Sequence, residues 1–238
     1  MKTLQASILV IHVICGFTAL LSGLVPMIAR KGGRLHNFWG LVYYWAMFGV
    51  FITTVGLFVL DPLSLKMQFF LPVAVGSFYQ TFTGKRILLR KKSETPPARL
   101  DWAAMYGVSF FGLVTLAWSI QRFMVQQPYQ GILFLFLTAL CLANGWNDYK
   151  VFSGRVQPQR MHWFFTHLGR MLASYAATLT AFLVNVGPRF LPADMPSFVN
   201  LLLWVGPGVT VGFFISRLTK QYRKKMGLTA PSASATPA

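Results

Sequence analysis

The sequence predicts an all-α integral membrane protein, a bundle of about seven transmembrane helices with its N-terminus outside and its C-terminus in the cytoplasm. Three observations predict it. Hydrophobic residues make up 55% of the chain and charged ones only 11%, too apolar for an ordinary soluble domain. The mean hydropathy is +0.52. The charges gather in short clusters between runs of about 20 apolar residues, the length that crosses a hydrocarbon core.

Seven runs follow in order: 6–29, 36–60, 67–87, 102–124, 129–148, 164–187 and 198–217. The first follows Lys2 and superficially resembles a secretory signal. It is read as a helix because it continues past 20 residues, carries His12 in its middle and lacks a small-x-small cleavage site. The second opens beside Trp39, and the fifth starts at Tyr129 and ends near Trp146; aromatic residues suit the membrane interface. The third is the least apolar, interrupted by Gln80, Thr81 and Thr83. The seventh carries Gly206-Pro207-Gly208 at its centre, and Pro72 lies in the third; both predict kinks of the kind membrane helices commonly accommodate. Residues 1–226 form one transmembrane domain, and the low-complexity stretch 227–238 reads as a disordered cytoplasmic tail.

Orientation follows from the basic residues. The loops after runs one, three and five and the C-terminal tail hold 17 Lys and Arg, against four (Lys2, Lys66, Arg122, Arg189) on the opposite side. The excess belongs in the cytoplasm. A formal net charge of +17 therefore reflects topology and anionic lipid headgroups at the inner loops, not nucleic acid. The two cysteines, Cys15 and Cys141, fall inside apolar runs and read as free thiols.

Ionisable groups inside a membrane are costly and mark candidate sites. All four histidines, His12, His36, His162 and His167, lie in or beside helices. His36 and His167 belong to different helices at similar depth near the cytoplasmic side. Facing imidazoles there can ligate a haem b iron, share a metal or bond a quinone. Arg170, one turn beyond His167, either clamps an anionic group or extends toward the headgroups. His162 and His167 diverge by about 140° around their helix, which weakens a metal site built on His36, His162 and His167. His12 lies about 20 Å away along the membrane normal. It heads a stripe of small residues and needs a hydrogen-bond partner, structural or functional. Asp101, Asn144 and Asp148, with Tyr79 and Gln80, collect at the level of His36 and His167 and suggest a polar cavity between helices. Signatures of nucleotide binding, zinc hydrolysis and serine catalysis are missing, and five acidic residues leave little scope for paired carboxylates.

His12-x-x-x-Gly16, then Gly33-Arg34-Leu35-His36-x-x-x-Gly40-x-x-Tyr43, and later His167-Leu-Gly-Arg-Met171 resemble an uncharacterised family of bacterial multi-pass membrane proteins. The resemblance covers about the first 60 residues and the surroundings of helix six. In the family pattern basic residues directly follow the helix-two histidine; here Arg34 precedes it and Asn37 follows. The resemblance implies a bacterial inner-membrane location and marks His12, His36 and His167, without implying an activity. Two expectations result. One is a non-enzymatic membrane component (an assembly factor, transporter or complex subunit) with a histidine-containing cavity and a membrane partner. The other is a redox protein binding one haem b or a quinone through His36 and His167.

Overall fold

The computed structural model describes residues 2–91, 95–191 and 197–228. They form seven helices: α1 (Lys2–Ile28), α2 (Arg34–Leu60), α3 (Leu65–Arg86), α4 (Arg99–Met124), α5 (Pro128–Phe152), α6 (His162–Val186) and α7 (Ser197–Lys225). Tight 3-10 turns prolong α3 over Ile87–Arg90 and α6 over Gly187–Arg189. No strand occurs among the described residues.

Six of the helices are long and apolar enough to cross a membrane. The exception is α3, and its position explains its composition. It packs on α2, α4, α5 and α6, and buries Gln68, Ser77, Thr81 and Thr83. A helix enclosed by other helices needs hydrogen-bond partners more than hydropathy. Thr81 and Thr83 return their hydroxyls to the carbonyls of Ser77 and Tyr79, so neither polar group is orphaned.

The other helices pair sequentially, α1 on α2, α4 on α5 and α6 on α7. Their outer faces carry exposed Ile14, Leu21, Phe110 and Phe213, as expected of surfaces that meet acyl chains. The interior is built from small contacts. A Cβ on Gly23 would come within 2.6 Å of the Tyr175 ring, so α1 can approach α6 only with glycine there. Ala19, Tyr43, Met47 and Tyr175 fill the core beside that crossing.

One expected boundary differs. α7 runs without a break through Pro207 to Lys225, eight residues past the expected end at 217, so the basic cluster is largely helical. It ends in a cap in which Gly227 takes φ +64 and the Leu228 N–H donates to Arg223 O at 2.8 Å. Gly227 and Leu228 thus belong to a glycine-terminated helix end. The rest of the expected tail, 229–238, lies outside the described residues.

Candidate functional site

A cavity of about 270 Å³ opens between α1, α2 and α6. The backbones of α2 and α6 stay apart here, and side chains bridge them. The Tyr43 hydroxyl meets Ser174 Oγ at 2.8 Å, and Ser174 Oγ in turn meets Thr81 Oγ1. Tyr43 and Tyr175 close the cavity at its buried end.

His36 and His167 sit on opposite walls, on α2 and α6. Their ring centres are 6.3 Å apart, with the planes inclined at 66°. Each ring is anchored. His36 Nδ1 lies 3.1 Å from the carbonyl oxygen of Pro26, and His167 Nδ1 lies 2.7 Å from that of Gly84. A carbonyl only accepts, so both Nδ1 atoms must carry the hydrogen. In the neutral form of each ring Nε2 is then a lone-pair donor, and neither Nε2 has a hydrogen-bond partner among the described residues.

Both anchors follow from local sequence. Pro26 lies in the last turn of α1, where carbonyls lose their intrahelical partners. Lys31 Nζ also donates to that turn, to Pro26 O and Met27 O, each at 2.7 Å. Partial burial pushes the Lys31 ammonium below its usual pKa. Gly84 sits against α6: a Cβ there would meet Arg170 Cβ at 3.1 Å and Met171 Sδ at 3.2 Å.

The remaining candidates lie elsewhere. Arg170 does not line the cavity; its guanidinium pairs with buried Asp148, which also accepts from Tyr79. The anion that Arg170 holds is therefore a carboxylate of its own chain. Asp101 pairs with Arg86 and accepts the Ala98 N–H at 2.9 Å, capping α4. Asn144 accepts from Gln80 at 2.9 Å, tying α5 to α3. His162 contacts Thr166 on its own helix at 3.3 Å. His12 meets Thr53 Oγ1 of α2 at 3.0 Å, far from the other histidines in the chain's register. Among the described residues no three His, Cys, Asp or Glu side chains gather at one point.

The polar groups expected to form one cavity thus form two arrangements. One is the imidazole pair at the cavity. The other is a set of interhelical ties through Asp101, Asn144 and Asp148. The residues that sequence reasoning missed are Pro26, Gly84 and Lys31. Glycine in a polar helix and a lysine three residues past a helix end were the available signals, but carbonyl direction has no signature in sequence. No family model matches the chain, and neither a curated protein nor a solved structure is significantly similar to it.

Proposed function

We propose that the chain is a redox protein of a bacterial inner membrane that carries one haem b between His36 and His167. The observation that carries this reading is the imidazole pair. Two rings bound from opposite sides to one ion stand about 6 Å apart between centres, given a metal–nitrogen bond of about 2.0 Å and the half-width of each ring. The observed separation is 6.3 Å. A backbone carbonyl on each Nδ1 is the usual outer contact of a metal-bound histidine. The same tautomer disfavours a quinone carbonyl, which needs a donor and would meet two lone pairs.

When bound, the haem supplies one-electron chemistry. The chain's own residues do the rest. His36 and His167 offer Nε2. The carbonyls of Pro26 and Gly84 fix ring rotation and strengthen each ring as a donor. Met171, Leu172 and Tyr175 keep the wall apolar and would shield a porphyrin from water. The resemblance to multi-pass bacterial proteins supports the location. α3 is 22 residues long, about 33 Å at 1.5 Å per residue, which supports a seventh span. The 17-to-four distribution of basic residues supports an outside N-terminus and an inside C-terminus.

An absorption spectrum of detergent-purified protein from haem-replete cells tests the reading. A Soret band that shifts on dithionite reduction, at about one haem per chain and lost in His36→Ala and in His167→Ala, is expected. A featureless, metal-free sample sinks it. The non-enzymatic membrane component would then stand, with its partner as the next object of search.

A further inference from the structure

We infer that the cavity recognises a carboxylate-bearing ligand edge through Lys31 and Lys91, while the ligand's apolar body lies against Met27, Met171 and Leu172. The body's identity as a porphyrin rests on the haem reading; the charged edge has its own support.

Both lysines line the cavity, and no Asp or Glu among the described residues does. Among the described residues the two ion pairs use Arg86 and Arg170, so none of the described carboxylates lies within salt-bridge distance of either lysine. Lys31 is half-buried and commits two of its three N–H groups to the carbonyls of Pro26 and Met27. The third is available to a ligand. Lys91 Nζ lies 5.1 Å from the centre of the Trp163 ring, which holds an otherwise mobile ammonium at the cavity rim. Capping of the α1 carboxyl end accounts for two bonds of Lys31, but not for a second ammonium on the same cavity. Two cations above an apolar floor, with no counter-charge among the described residues, match an amphiphile with acid groups at one edge. Haem propionates and a fatty-acid carboxylate share that chemistry.

Binding of haem b and of its dimethyl ester to the full-length apoprotein in detergent separates the sources. Three proteins are titrated: wild type, Lys31→Met/Lys91→Met and Lys31→Arg/Lys91→Arg. The expected result is an affinity for the free acid at least about tenfold above the ester in wild type, the size of one charge-assisted contact. The Met pair should bind both forms alike, and the Arg pair should keep the preference. A preference that survives in the Met pair, or none in wild type, overturns the inference. Should the Met pair fail to run as a single gel-filtration species, Lys91→Met alone carries the test, since Lys91 is exposed; it must weaken the preference. If folded wild type binds neither porphyrin, the haem reading fails by itself. A fluorescent polyene fatty acid and its methyl ester then replace the porphyrins. An acid preference that the lysine substitutions abolish keeps the inference with a lipid carboxylate, and its absence ends it.

Discussion

At the scale of the residue, this molecule turns on single hydrogen bonds whose partners belong to different helices. The Asp148 carboxylate accepts from both Tyr79 and Arg170; it is buried with Tyr79, and Arg170 is half-buried beside them. Asp148→Asn strands a cation in a low-dielectric interior, and a cost of about 3 kcal/mol or more is expected. Tyr79→Phe, which removes one donor and leaves the ion pair, should cost about 1 kcal/mol. Unfolding by sodium dodecyl sulfate in mixed micelles compares the two; equal losses would contradict the ion-pair account. His12→Ala removes a contact to Thr53 and should cost on the order of 1 kcal/mol while leaving any Soret band in place. The sequence disclosed these residues because charge and imidazole are conspicuous in apolar runs. It did not disclose that Asp148 belongs to Arg170, because pairing depends on how α5 and α6 are rotated.

At the scale of the element, α3 is the instructive case. Hydropathy measures how a helix suits lipid, and α3 has little lipid to suit. Its polar residues made it the weakest run in the sequence, and they are buried because other helices surround it. The remaining helices were legible to within a few residues, except where α7 continues as a basic helix beyond its apolar stretch. The crossing of α3 and α6 depends on Gly84. Gly84→Ala forces Arg170 and Met171 outward, and overpacking of this kind costs about 1–3 kcal/mol. It should also pull the Gly84 carbonyl from His167 and so lower haem retention. Gly16→Ala, with nothing within 4 Å of the added carbon, should change neither. Thermal melts and haem content of the two variants, measured side by side, check the contrast; equal behaviour would refute the role of the crossing.

At the scale of the whole molecule, charge and hydrophobicity are arranged on different axes. Apolar residues face outward around the bundle, and basic residues gather after α1, α3 and α5 and at the end of α7. A green fluorescent protein fused after Leu228 should fluoresce, and alkaline phosphatase at the same point should be inactive. The reverse pattern would invert the proposed orientation. Histidine depth, read from helix register, put His36 and His167 at one level, and the structure sets their rings 6.3 Å apart. A histidine-containing cavity was expected, but its walls were not legible, since they arise from the separation of α2 and α6, and no residue encodes an absence of contact.

The Pro26 carbonyl accepts from both Lys31 and His36, and this gives the turn at residues 29–33 a fixed length. A surface turn ordinarily absorbs an inserted residue at small entropic expense. Here one oxygen measures the distance forward to Lys31 and to His36, five and ten residues on. An extra residue after Gly32 would lengthen the second interval and leave the first intact. The imidazole would swing off its acceptor although every side chain of the site was still present, whereas an insertion at 125–127, the turn between α4 and α5, would leave it in place. The α1–α2 turn thus acts as a ruler for the site, and its length is under the same constraint as the histidine it positions.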